Sequence, residues 1–325
     1  MPFQSGFAIS LPFDNFDEMA EQAAAWDVRY EQLSSGQFSG RMSIASSDVV
    51  QLLRASWATS ILQVGSTPQD AWTFGLSLTP DAPTFHRART LESSSIGLHP
   101  PNEELHFVTH GAAEMMVVVI DDSHLTTVLQ GRFDMLPHDL SRTGRLRPRS
   151  GLAPLERARG LAVILDTVLA KPDDKIIHQR AQECALELML RDIQPEPERS
   201  ELRDYSHVAR RIEELLRAPR ETPLTISQLC ALTGVPDRTL HLAFRKAMGT
   251  TPASYLRNLR LNAAHRDLRK AASGGVTDIA LRHGFFHLGR FAVDYHRRFG
   301  ERPSDTARRA FPTQPVAHLA VAENG

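Results

Sequence analysis

Two cysteines, Cys184 and Cys230, are all that this sequence of 325 residues contains. They form no C-x-x-C pair and are too few for a cysteine zinc site or a disulfide framework, which argues against a stapled secreted domain and fits a reducing compartment. Both are expected to be buried packing residues. Long apolar runs are also missing: the longest, Met115 to Ile120, falls far short of the roughly 20 residues a membrane span needs. No basic, apolar, small-residue leader opens the chain. A cytoplasmic protein with no membrane partner is therefore expected. Excess charge of one sign is absent as well, the net charge being -1.

That near-neutral balance conceals a division. Residues 201–311 hold 20 Lys and Arg against 11 Asp and Glu, a net of +9, while residues 1–200 hold 17 against 26, a net of -9. A basic module beside an acidic one points to contact between the basic part and a polyanion. The Pro- and Glu-bearing stretch from Gln194 to Glu198 lies between them, so a linker is expected at 193–202. The chain is longer than one hydrophobic core usually organises, and its 42% hydrophobic content is enough for two.

Residues 38–145 read as strands more than helices. Trp72, Phe74, Leu76 and Leu78 alternate with Thr73, Gly75, Ser77 and Thr79, and turn residues punctuate short apolar runs, as in a sandwich or barrel. Residues 154–192 change to helical spacing, with Leu155, Ala158, Leu161, Ala162, Leu165 and Leu169, then Ile177, Ala181, Cys184, Ala185 and Leu188. Two amphipathic helices broken at Pro172 would cover the β core or pair with a second copy of the chain.

Beyond residue 203 one unit occurs twice. Ile226, Leu229, Cys230, Gly234 and Val235 recur fifty positions later as Val276, Ile279, Ala280, Gly284 and Phe285. After one inserted residue, Leu240, Phe244, Gly249 and Pro252 match Phe291, Tyr295, Gly300 and Pro303. Each copy has a short helix with a small inner residue, then a glycine able to take the positive φ of a tight interhelical turn. Between the copies, Pro252 to Lys270 reads as one helix capped by Thr251 and roughly 28 Å long. That length is close to one turn of DNA.

The motifs Gly249-x-x-Pro252-x-x-Tyr255, Arg260-Leu261 with Ala264 and Leu268, His283-Gly284-Phe285, Phe291, and Arg298-Phe299-Gly300-x-x-Pro303 resemble those of the AraC/XylS family of bacterial transcription regulators. The resemblance covers about a hundred residues. It implies an α+β protein: a β-rich effector-binding or dimerisation domain at 1–150, a cupin-like barrel or sandwich; a helical accessory segment at 151–192; and an all-α domain of two helix-turn-helix units joined by a long helix at 203–311, followed by a tail at 312–325. The sequence departs from the family at three places. Pro236 stands where a capping serine is usual, Thr306 replaces the aromatic after the second proline, and Val293 sits where a basic or polar residue is frequent.

The implied partner is double-stranded DNA, read in two successive major-groove segments. A small-molecule effector, a homodimer and, for an activator, RNA polymerase are the other partners. The first recognition helix, about Asp237 to Met248, turns Leu240 and Phe244 inward and offers Asp237, Arg238, His241 and Leu242. Base contacts in the family fall on Arg238, His241 and Leu242; Arg238 can donate a bidentate pair to guanine. The equivalent second face offers Leu288, Gly289, Ala292 and Val293, suited to thymine methyls at most. Arg245, Lys246, Arg290, Arg297 and Arg298 are candidates for the phosphate backbone, and Arg260 is expected to be structural.

Other classes of protein would need residues that this sequence lacks. A metal-dependent enzyme would need a compact ligand set such as H-x-H, and the only close histidine pair in the β-rich part, His106-x-x-x-His110, lies in a loop or strand rather than on a helix. A methyl-accepting repair protein would need clustered thiols. No catalytic residue, metal or cofactor is expected. An architectural or protein-controlled DNA binder without a small ligand remains the alternative.

Overall fold

The computed structural model of the chain describes residues 3–23, 26–82, 84–86, 89–91, 94–140, 144–149, 151–195, 203–218, 224–270 and 274–310. The expected tail and residues 196–202 of the expected linker lie outside them. Contact density divides the chain into two units, Met1–Ser34 with Phe38–Leu256, and Ser35–Gln37 with Arg257–Gly325.

The first unit is built on strands β1 (Phe7–Phe13), β2 (Asp27–Gln32), β3 (Gly40–Ser46), β4 (Val50–Trp57), β5 (Ile61–Ser66), β6 (Ala71–Ser77) and β7 (Thr84–His86). They continue with β8 (Arg89–Leu91), β9 (Ile96–His99), β10 (Glu104–Thr109), β11 (Ala113–Asp121), β12 (Arg145–Pro148) and β13 (Ile193–Pro195). One sheet runs β1-β3-β4-β11-β6-β9-β12-β13 and the other β2-β5-β10-β7-β8, with antiparallel neighbours throughout, as at β11 against β4 and β6. Five helices accompany them: α1 (Phe16–Gln22), α2 (Asp122–Phe133), α3 (Pro137–Leu140), α4 (Pro154–Ala170) and α5 (Lys175–Leu190).

The unbroken apolar run in β11 follows from its place. Met116, Val118 and Ile120 join Leu52, Phe74 and Leu76 in a core closed by Leu161 and Leu165 of α4 and by Ala185 and Met189 of α5. Met115 and Val117 face the other way, toward Tyr30 and Phe107 of the second sheet. A strand covered on both faces needs apolar residues in succession. Thr73 is buried for the same reason, so β6 is less one-sided than its alternating sequence suggests. Trp57 on β4 donates to the Thr109 hydroxyl on β10 at 2.8 Å and ties the sheets together.

Helices α4 and α5 therefore cover the β core. Arg157 of α4, 2% exposed, reaches the end of α5 and donates to the carbonyls of Leu188, Met189 and Arg191. It supplies the donors that a helix C-terminus lacks.

Residues 38–145 are mostly strand, as expected, with α2 among them: Asp121 accepts from the His124 amide at 2.9 Å and starts α2, which buries Leu125 and Leu129 one helical turn apart. Three expectations are corrected. Ile193–Pro195, placed in the linker, pairs with β12 instead. Cys184 is exposed and Cys230 only part-buried, because each lies at the edge of its helix's apolar stripe. The long helix ends at Arg269 rather than Lys270. Among the described residues, no helix is long and apolar enough to cross a membrane.

Candidate nucleic-acid interface

The remaining helices are α6 (Arg203–Arg217), α7 (Ile226–Thr233), α8 (Asp237–Met248), α9 (Pro252–Arg269), α10 (Val276–Arg282), α11 (Leu288–Phe299) and α12 (Pro303–Ala310). The internal repeat is visible in the backbone. Gly234 and Gly284 sit in the two interhelical turns at φ 68° and 78°, and Gly249 and Gly300 end α8 and α11 at φ 64° and 74°. Side chains rarely adopt those angles, so glycine is required at each.

Helix α7 is capped by Thr225, whose hydroxyl accepts from the Gln228 amide at 3.2 Å while the Gln228 side chain accepts from the Thr225 amide at 2.8 Å. Pro236 gives α8 no side-chain cap; Asp237 supplies negative charge to its first turn instead. Leu240, Ala243, Phe244 and Met248 are buried, so α8 packs with the side its periodicity assigns inward. Thr251 caps α9 through the Ser254 amide at 3.2 Å.

Tyr255 joins α9 to α6. Its hydroxyl donates to Glu213 Oε1 at 2.6 Å and accepts from Arg217 at 2.9 Å, and Arg217 donates to the same carboxylate oxygen at 2.8 Å. Burial raises the affinity of the Glu213 carboxylate for a proton. His106, Arg217 and the Tyr255 hydroxyl outweigh it and hold the pKa down at about 2. Sequence reasoning gave Glu213 and Arg217 no role; the signal was a buried aromatic hydroxyl at Tyr255, which needs partners.

In the second unit Leu261, Ala264, Leu268, Ile279, Ala280, Phe291, Tyr295 and Phe299 are buried. His265 stacks on Phe299 with ring centres 4.3 Å apart. A hydrogen-bonded chain runs from His265 through the Tyr295 hydroxyl (2.7 Å) to Thr306 (2.8 Å) and on to Glu301 (2.5 Å). Thr306 thus fills the position of an aromatic by giving Tyr295 an acceptor. His283 and Arg282 tie α10 to Asp267 of α9 at 2.9 and 3.4 Å.

Above these cores lie the sequence-derived candidates. On α8, Asp237, Arg238, Leu242, Arg245 and Lys246 are exposed and His241 is part-buried; His241 Nε2 lies 3.2 Å from Asp237 Oδ1. On α11, Leu288, Gly289, Arg290, Ala292, Val293 and Arg297 are exposed. Arg298 is a correction. It is buried and donates to Asn258 Oδ1 of α9, and burial lowers its pKa to about 10, against the pull of Asp294. Its position seven residues after Phe291 and three after Tyr295 puts it on the inner stripe of α11. Arg260 is half-buried, and a Cβ added at Gly284 would lie 3.5 Å from its guanidinium. Phe286 was missed. It is the residue inserted into the second copy, in the turn between α10 and α11, and 77% of it is exposed.

Two short helices in each copy, the second presenting an exposed face over a buried one, define a double helix-turn-helix domain. A helix-turn-helix domain family matches residues 229–309. The chain is 42% identical over 103 residues to a probable thc operon regulatory protein of Rhodococcus erythropolis, covering 31% of each chain. It is 40% identical over 107 residues to the XylDLEGF operon transcriptional activator 1 of Pseudomonas putida, covering 32% of this chain and 31% of that one. The match thus spans about a third of the length of these curated relatives. A crystal structure of a probable AraC family transcriptional regulator from Rhodopseudomonas palustris is 41% identical, over 32% of this chain and 97% of that one, with a TM-score of 0.31. The chain belongs to the AraC/XylS family of transcription regulators.

Proposed function

We propose that this chain is a sequence-specific DNA-binding transcription regulator, with residues 203–311 as the reader and the β-rich domain as the controlling part. The observation that carries the reading is the pair of exposed faces, Asp237, Arg238 and Leu242 on α8 and Leu288, Gly289, Ala292 and Val293 on α11, in a region of net charge +9. The 18 residues of α9, about 27 Å long, suit two recognition helices on successive major-groove segments. Arg238 donates to guanine, the apolar α11 face meets thymine methyls, and Arg245, Lys246, Arg290 and Arg297 contact phosphates.

Control by a small molecule is supported by a cleft of about 510 Å³ in the first unit, a size that suits small ligands. Asp27, Arg29, Glu104 and His106 from the strands and Glu213 and Arg217 from α6 line it. A ligand there touches both the β domain and the residues that hold Tyr255. The family relatives are regulators, and the chain is read as a non-enzymatic cytoplasmic protein that pairs with a second copy and, if it activates, with RNA polymerase.

The test is selection of genomic DNA fragments on the full-length chain, followed by titration of the enriched sequence. Specific binding that weakens by orders of magnitude between about 50 and 200 mM salt is expected. Absence of enrichment, or affinity insensitive to salt, overturns the reading.

A further inference from the structure

His86, His99 and Glu103 stand together at one end of the β domain. One potential ligand atom from each lies within 4.8 Å of the other two. Their imidazole rings meet edge to face with centres 4.3 Å apart, and His99 Nδ1 is 2.9 Å from Glu103 Oε2. His99 is 6% exposed. We propose that these three residues form a binding site for one divalent transition-metal ion of the zinc type.

The ligand set is the first reason. Two imidazoles and one carboxylate are a zinc-binding combination that leaves a coordination position for water or another ligand. Tetrahedral zinc with bonds of about 2.0–2.1 Å holds its ligand atoms about 3.4 Å apart. The three ligand atoms lie within 4.8 Å of one another, and His99 Nδ1 and Glu103 Oε2 are 2.9 Å apart, so small side-chain adjustments bring them to that spacing.

The second reason is how firmly the turn that carries Glu103 is held. The Thr67 hydroxyl donates to the Pro100 carbonyl at 2.8 Å and accepts from the Glu103 amide at 2.9 Å. The Thr67 amide donates to the Glu103 carbonyl at 3.0 Å, and the Asn102 amide to Pro68 at 3.0 Å. Asn102 has a φ of 53°, a backbone angle uncommon outside glycine and here fixed by these bonds. Glu103 is therefore presented toward His99 by a defined turn, as a metal ligand must be.

The third reason is topological. His86 ends β7 in one sheet and His99 ends β9 in the other, while Glu103 directly precedes β10, the neighbour of β7. An ion held by all three joins the two sheets at a point where no covalent link does. Bound metal should consequently raise the stability of the β domain, since an ion that binds only the folded state stabilises it by mass action.

The experiment uses the full-length chain, stripped with chelator and titrated with zinc and then with cobalt as a spectroscopic probe. One equivalent bound, a visible cobalt spectrum of tetrahedral or five-coordinate type and a rise in unfolding temperature are expected. Glu103→Gln should weaken binding at least tenfold and His86→Asn should do the same, while His138→Asn, at an exposed side chain of α3, should change nothing. Glu103→Gln keeps the shape of the turn and carries the test if His86→Asn does not fold. Binding well below one equivalent overturns the proposal, as does binding unchanged in Glu103→Gln or lost equally in His138→Asn. Because the readouts are metal content, spectrum and stability, the result is separate from that of the DNA-binding test.

Discussion

The buried imidazole of His265 shares a 2.7 Å hydrogen bond with the hydroxyl of Tyr295. Burial, with Arg269, Arg266 and Arg309 nearby, lowers the His265 pKa from 6.5 to about 3. The unfolded chain then binds a proton more readily than the folded one. This contribution to stability is complete above about pH 6.5 and is lost as pH falls toward 3, at up to about 1.4 kcal/mol per pH unit. Glu213 acts in the same direction but in a lower window, from 4.5 down to about 2. Denaturant unfolding between pH 6.5 and 5 should show declining stability in the wild type and a slope shallower by about one proton in His265→Gln. Equal slopes would remove His265 as the cause.

Arg297 and Arg298 are adjacent, yet opposite effects are expected of them. Arg297→Ala should lower affinity for all DNA sequences and reduce the salt slope by about one ion, with the unfolding midpoint unchanged. Arg298→Ala removes a charged hydrogen bond to buried Asn258 and should cost about 2–3 kcal/mol of stability. Paired DNA titrations and thermal melts on both variants check the assignment.

Arg238→Ala should relax preference at one or two neighbouring base pairs, worth about 1–3 kcal/mol of discrimination. Leu288→Ala and Val293→Ala should give smaller losses confined to thymine positions. Binding-site selection on each variant reads this. Unchanged preferences in Arg238→Ala, with preferences erased by the α11 changes, would reverse the division of labour between the two helices.

Phe286→Ser should weaken specific DNA binding by about tenfold while leaving stability within about 0.5 kcal/mol of wild type. A side chain 77% exposed contributes little to the fold, so a large drop in melting temperature with no change in affinity would assign it to packing.

Arg157→Ala should destabilise the β domain by about 2–4 kcal/mol, since it withdraws donors from carbonyls at the end of α5. Arg54→Ala breaks a bidentate pair with Asp166 at 2.8 and 3.0 Å on the exposed side of α4 and should cost under about 1 kcal/mol. Chemical denaturation of the two variants separates these cases.

The helices of the reader were legible because their signals are local. Caps, glycines and i, i+4 stripes placed α8 at the very residues observed, and the same stripes would have exposed Arg298 and α2 had charge and strand context not been weighed more heavily. The β domain was legible as a class only. Which strands pair, and hence that His86 approaches His99 and Glu103, depends on contacts between sheets that no local spacing encodes. Phe286 sat in plain view as the one residue the repeat could not accommodate.

The duplication also has a consequence for the geometry of transcription. The two copies share turn glycines and buried aromatics but have different outer faces, Arg238 on one and Leu288 with Val293 on the other. Under the proposed function, a single chain bound to a duplex distinguishes left from right, and its operator half-site is a polar word rather than a palindrome. Such a protein can be placed facing toward a promoter or away from it. Inverting the site without moving it changes what the bound protein presents to its neighbours.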